Sequence, residues 1–228
     1  PGAVTPKIAE KAIVLSFGLK LKSLLEAEGR YRVVMTREDD RFLPLSERVQ
    51  IARQNAADLF ISIHADSLSA AQDVRGATVY TGSERATDAE SARLAARENQ
   101  VDALAGVDIP AQAREEVADI LLDLAKRETR AFSAVVAASL VRSFDGVIKL
   151  HKIPQRSAGF RVLTAPDVPS VLIELGYVSS AKDVEQLISE DWQGKAAGAA
   201  QRAVGAFFTA KNGAKGSGAA MGATTIRP

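Results

Sequence analysis

Phe60-Ile61-Ser62-Ile63-His64-Ala65-Asp66 is the stretch whose reading decides the fold. Leu59, Ile61 and Ile63 with Phe60 between them make an apolar, β-branched run, the pattern of a strand buried on both faces. His64 stands where this strand leaves the sheet, and in open α/β folds that edge is where ligands bind. A second run, Val168-Pro169-Ser170-Val171-Leu172-Ile173-Glu174, ends the same way in a carboxylate. An imidazole and a carboxylate, each at the mouth of a buried strand, point to the chemistry of a metal hydrolase.

Around these two strands, apolar periodicity alternates between strand and helix. Ile13, Phe17, Leu21 and Leu24 share one stripe of a helix over 6–28, which Gly29 ends. Arg32–Arg37 reads as a strand, Pro44 opens a helix through Ala56, and Gly76–Thr81 is a further strand. Ala86–Leu104 and Arg114–Arg142 read as helices around a loop at 105–113. Gly159–Leu163 reads as a short strand, and 183–188 and 192–210 as helices. The expected architecture is α/β: one domain over 1–211, a mainly parallel twisted sheet with helices on both faces, and a helical insertion at about 86–142. The Gly-, Ser- and Ala-rich end, 212–228, reads as a flexible tail.

Composition narrows the function classes. With 228 residues and 46% hydrophobic residues the chain can bury a substantial core. Lys+Arg 29 against Asp+Glu 28 leaves a formal charge of +1, without the basic bias of a nucleic-acid binder. No apolar run reaches the length of a membrane span. The count of Cys is 0, which excludes thiolate catalysis and Cys-ligated zinc. The chain starts without Met, from which a processed or trimmed N-terminus is expected.

The candidate residues have plain readings too. Glu174 ends an apolar strand, where an unpaired charge is costly, so it needs a partner: a site, or an Arg on a neighbouring loop. Glu10, one turn into the first helix, is on its own a surface residue or a favourable charge near the helix N-terminus. His151 and Arg156 are either contacts to a ligand or ordinary loop residues.

Taken together, Pro1-Gly2-Ala3, Glu10-Lys11, Leu45-Ser46-Glu47-Arg48, Ser62-Ile63-His64-Ala65-Asp66 and Val171-Leu172-Ile173-Glu174-Leu175-Gly176-Tyr177 resemble, in order and spacing, the zinc-dependent N-acetylmuramoyl-L-alanine amidases of the amidase-3 family. The similarity covers roughly residues 1–210. The helical insertion and Arg97-Glu98-Asn99-Gln100 are similar to the AmiA/AmiB/AmiC cell-division subgroup. The resemblance implies hydrolysis of the amide between N-acetylmuramic acid and L-alanine in peptidoglycan. It implies Zn²⁺ held by Glu10, His64 and a first histidine upstream of Pro1, and Glu174 as the catalytic acid/base. It further implies autoinhibition by an inserted helix whose glutamate blocks the zinc, with Glu98 the best match by position and Glu115 and Glu116 weaker ones; the plain reading of all three is a solvated helix face. An activator with a LytM-type domain, a role in septal wall splitting, and a periplasmic location follow from the same resemblance. Ile120, Leu121 and Leu124 are either the activator's docking face or core. Two further readings stay open: a metal-free peptidoglycan-binding or partner-docking module, and a zinc peptidase that cuts within the stem peptide.

Overall fold

A computed structural model of the chain describes residues 4–5, 8–67, 74–106 and 119–220; the side chains of 4–8, 119–122 and 214–220 are outside the description. A two-residue hairpin, β1 (Val4–Thr5) with β2 (Ile8–Ala9), leads into α1 (Glu10–Glu26). Then follow α2 (Leu45–Gln54), β3 (Phe60–His64), β4 (Ala77–Gly82), α3 (Ala89–Glu98), α4 (Val101–Leu104), α5 (Asp119–Phe144), β5 (Leu150–Ala158), a 3₁₀ turn (Arg161–Leu163), β6 (Ser170–Glu174), α6 (Ala181–Leu187) and α7 (Glu190–Ala220).

The four-stranded sheet has the order β3-β6-β4-β5. Two of its pairings, β3 with β6 and β4 with β5, are parallel; β4 with β6 is antiparallel, so the sheet is mixed. Alternation along the strands divides two cores. Ile61, Ile63, Val171, Ile173 and Val79 face α1, α5 and α7, where Phe17, Leu140, Phe144 and Phe207 are buried. Phe60, Leu172 and Tyr80 face the other way, under α2, α3 and the 3₁₀ turn, with Leu45, Leu94 and Phe160. Helices therefore cover both faces, as expected. No described helix is long and apolar enough to cross a membrane.

Four expectations change. Arg32–Arg37 forms no strand: it joins no sheet among the described residues, and the chain bends at Thr36. The strand placed at 159–163 lies earlier, at β5, and 161–163 is a 3₁₀ turn. Pro154 is tolerated because β5 is an edge strand, and a register shift between Ala77 and Val79 accommodates its extra residues. The helical region after β4 divides in two. Only α3 and α4 lie over the rim, whereas Val136, Leu140 and Phe144 of α5 belong to the main core. Finally, α7 continues to Ala220, so 212–220 of the expected flexible tail is helical, and 221–228 lies outside the described residues.

Candidate active site

The register of two strands builds the site. Parallel pairing sets His64 opposite Glu174, and directly opposed side chains project from the same face, here the one beneath α2 and α3. The two strand exits are tied together: the Leu175 N–H donates to the His64 carbonyl (2.9 Å) and the Val178 N–H to the Asp66 carbonyl (2.8 Å). Helix α1 begins at the same rim, and Glu10 Oε1 accepts the Ala65 N–H at 3.2 Å. On the other side Glu174 Oε1 accepts the Asp66 N–H at 2.7 Å. Glu10, His64 and Glu174, remote in sequence, thus converge at one corner of the sheet.

His64 is 6% exposed. Its Nε2 lies 3.0 Å from Ser62 Oγ. Its Nδ1 lies 3.4 Å from Glu10 Oε1 and 3.1 Å from Glu98 Oε2, yet this buried nitrogen has no aligned hydrogen-bond partner. Burial alone would lower the imidazole's pKa, but the carboxylates of Glu98 and Glu10 outweigh it and hold the pKa well above its ordinary value. Glu174 is fully enclosed. Burial first, then the nearby Asp66 carboxylate, pushes its pKa well above that of an ordinary glutamate, while His64 opposes the shift. Asp66, 4% exposed, is raised to about 6 by burial and by Glu98, with Arg97 pulling the other way.

Helix α3 closes over this corner. Its first turn is anchored: Asp88 caps the helix by accepting the Ser91 N–H at 2.8 Å, and Glu90 pairs with Arg156 at 2.7 Å. Its last turn reaches into the site. Glu98 contacts His64, and Arg97 donates to the Asp66 carboxylate and the Ser67 carbonyl. Beyond it, the buried carboxylate of Asp102 in α4 accepts the Leu45 N–H at 3.0 Å and so caps α2.

Do these residues fit a divalent ion? Among the described residues, no three His, Asp or Glu side chains form a group able to hold an ion by themselves. The pairwise geometry at His64 does fit. Donors sharing a tetrahedral ion at bonds of about 2.0–2.1 Å stand about 3.3–3.4 Å apart, close to the separations between Nδ1 and the two carboxylates. A buried, unaligned imidazole nitrogen facing carboxylate oxygens suits a shared cation better than a hydrogen bond.

The remaining candidates lie elsewhere. His151 and Arg156 are buried in β5, with Arg156 Nη2 2.9 Å from His151 Nδ1; they join β5 to the start of α3. Glu115 and Glu116 lie outside the described residues, as do the side chains of Ile120 and Leu121, while Leu124 is exposed. Sequence reasoning missed Arg97 as a partner of Asp66. It also missed the buried hydroxyls of Thr78, Tyr80 and Tyr177, which lie against one another beside Glu174. Thr78 is the direct cross-strand neighbour of Glu174; the signal available was polar residues alternating within an apolar strand.

Comparison with known proteins shows the family and the fold. The family described as N-acetylmuramoyl-L-alanine amidase matches residues 1–206. The amidase AmiC of Escherichia coli O6:H1 (strain CFT073) is 33% identical over 203 residues, 89% of this chain and 48% of the relative. AmiA of Escherichia coli K12 is 33% identical over 87% of this chain and 68% of its own length. The chain thus spans about half the length of AmiC. The crystal structure of the amidase Ami1 from Mycobacterium smegmatis superposes with a TM-score of 0.66 at 19% identity, covering 92% of this chain and 82% of that one, and so shares the fold. The chain belongs to the N-acetylmuramoyl-L-alanine amidase family.

Proposed function

We propose that the chain is the catalytic part of a zinc-dependent peptidoglycan amidase that hydrolyses the bond between N-acetylmuramic acid and the L-alanine of the stem peptide. The observation that supports this reading most is the convergence of Glu10, His64 and Glu174 on one rim in a member of this family. Glu10 and His64 would hold Zn²⁺, joined by a histidine from polypeptide that precedes Pro1. When bound, the ion supplies Lewis-acid polarisation of the scissile carbonyl and acidifies a water.

Glu174 accepts the proton of the attacking water and returns it to the leaving amine. Its placement suits that task. The Asp66 N–H orients Oε1, and burial together with the neighbouring Asp66 carboxylate raises the carboxyl's proton affinity well above that of an ordinary glutamate. Asp66 serves through its backbone as a positioning residue.

The contacts of α3 support a resting state in which this helix keeps the site closed. Glu98 stands against the His64 nitrogen that would face the ion, and Arg97 clasps Asp66. Activation then requires a partner that binds displaced α3 better than the closed enzyme does. An activator with a LytM-type domain, acting in the periplasm during septal wall splitting, fits that requirement.

The test is digestion of purified sacculi by the full-length polypeptide, with zinc stoichiometry measured on the same preparation. Release of stem peptides beginning with L-alanine supports the reading. Wall binding without cleavage or zinc supports the metal-free docking module instead. Cuts within the stem peptide support a different peptidase.

A further inference from the structure

Four buried polar side chains lie between Glu174 and the β5 edge of the sheet. Thr78 of β4 stands directly opposite Glu174, and Tyr80, two residues on, stands directly opposite Arg156 of β5. Residues i and i+2 of a strand share a face, and directly opposed residues project from one face. Glu174, Thr78, Tyr80 and Arg156 therefore run in a row across three strands, beneath α2 and α3. Tyr177, just past β6, adds its ring to the row. The Tyr80 hydroxyl lies against Tyr177 and Arg156, and the Tyr177 hydroxyl against Thr78. Thr78, Tyr80 and Tyr177 are fully enclosed, and the Arg156 side chain is 1% exposed. A buried hydroxyl gives up solvation that a valine or phenylalanine of the same shape would not, so packing alone does not call for these residues.

Chemistry fixes the direction of the row. A guanidinium only donates and an ionised carboxylate only accepts, whereas a hydroxyl does both and rotates to suit. A line of hydroxyls between the two is satisfied in one sense: Arg156 donates to Tyr80, Tyr80 to Tyr177, Tyr177 to Thr78, and Thr78 turns its proton toward Glu174. Burial, with the Glu174 carboxylate adding to it, raises both phenol pKa values, so the two tyrosines stay donors. Each donation polarises the next. Both ends of the row are fixed. At the outer end Arg156 pairs with Glu90 at 2.7 Å and Asp88 at 3.6 Å. At the inner end the buried Asp183 Oδ2 accepts the Gly76 N–H at 2.9 Å and the Tyr177 N–H at 3.1 Å, which joins the start of β4 to the turn after β6.

We propose that Thr78, Tyr177 and Tyr80 are positioning residues for the hydrolysis: they form a one-way line of hydroxyls, fed by the buried Arg156, that holds the second carboxylate oxygen of Glu174. The first oxygen, Oε1, takes the Asp66 N–H. Oε2 is buried, and directly opposed Cβ atoms stand about 4.5–5.5 Å apart, a span that a threonine hydroxyl and a glutamate carboxyl close between them. An oxygen with two lone pairs accepts from Thr78 and still faces the attacking water. Tethered at both oxygens, the carboxylate keeps one orientation toward the rim instead of swinging. The proposal rests on Glu174 as the acid/base residue; the tether itself is a matter of the fold.

Two readouts on the full-length protein test it. The first is exchange of the Asp66 amide, which the loosened carboxylate would release: about tenfold faster in Thr78→Val and Tyr177→Phe, and close to the parent in Thr78→Ser, which keeps the hydroxyl. Unchanged Asp66 exchange in folded Thr78→Val overturns the proposal. The second is a mutant cycle on sacculus turnover. Thr78→Val and Tyr177→Phe should each lower kcat about tenfold with KM unchanged, and Thr78→Ser should restore most of the rate. In a Glu174→Gln background neither should lower the residual rate further, because residues that act as one unit are not additive. Equal losses in both backgrounds, or a loss carried by KM, make the residues structural and overturn the proposal. Near-parent turnover of Glu174→Gln overturns the acid/base reading instead, and Asp66 exchange then still decides the tether.

Discussion

Glu174 offers one carboxylate oxygen to the Asp66 N–H, and its other oxygen is buried without a hydrogen-bond partner. Two predictions follow from that residue alone. Glu174→Gln keeps the shape and the Asp66 contact but cannot take a proton; loss of general acid–base catalysis lowers kcat by about 10²–10⁴-fold, measured as dye release from labelled sacculi, with the circular dichroism spectrum unchanged. The second concerns stability in the metal-free protein. The folded-state pKa is raised above the ordinary value of 4.5, so the residue's stabilising contribution is full below that unfolded value and is lost as pH rises through the folded one. Glu174→Gln resembles the protonated form and escapes that loss. Its Tm should match the parent's near pH 4 and exceed it increasingly toward pH 8; a Tm gap that shrinks with pH contradicts the assignment. His64 and Glu174 were legible in the sequence because each is a polar residue ending an apolar run. The Asp66–Arg97 pair was not, since an arginine on an Ala-rich helix looks the same whether it faces water or a carboxylate.

At the scale of elements, α3 is fixed at one end by its Asp88 cap and the Glu90–Arg156 pair, and held at the other by Glu98 and Arg97. Glu98→Ala should raise basal sacculus hydrolysis in the full-length protein without activator, several-fold or more, and Arg97→Ala should do the same while leaving Glu98 intact. Unchanged basal rates in both folded variants would remove α3 as an inhibitor. These substitutions serve better than a deletion of 97–127, which cuts into α5, the helix that carries part of the main core. Cap removal acts differently. Asp88→Ala costs about 0.5–2 kcal/mol of local helix stability and should appear as faster amide exchange in α3 before any fall in global Tm. Helices and the two site strands were readable from local period. The placement of β5 was not, because Pro154 disfavours a strand until its edge position is known. Arg32–Arg37 shows the converse: its residues suit a strand, but a strand exists only with a partner.

For the molecule as a whole, the proposed metal would couple its binding to folding. If Glu10 and His64 hold an ion in the native state alone, zinc added to the full-length protein should raise Tm in a way that grows with free metal and reverses with chelator, the stability gain being about 2.7 kcal/mol at a hundredfold excess over Kd. His64→Ala should abolish the dependence. The class of fold could be read from alternating periods, whereas the strand order could not, because the pairing that builds the site joins segments far apart in the chain.

That separation has a kinetic consequence. The bond between Asp66 and Glu174 spans 108 positions, and closing so long a loop is entropically slow relative to forming local helices. The helices can form early, but the corner that holds the carboxylates and the imidazole cannot exist until β6 has been made and docked. A nascent or partly folded chain therefore carries no assembled hydrolytic centre, and latency during biosynthesis is a by-product of topology.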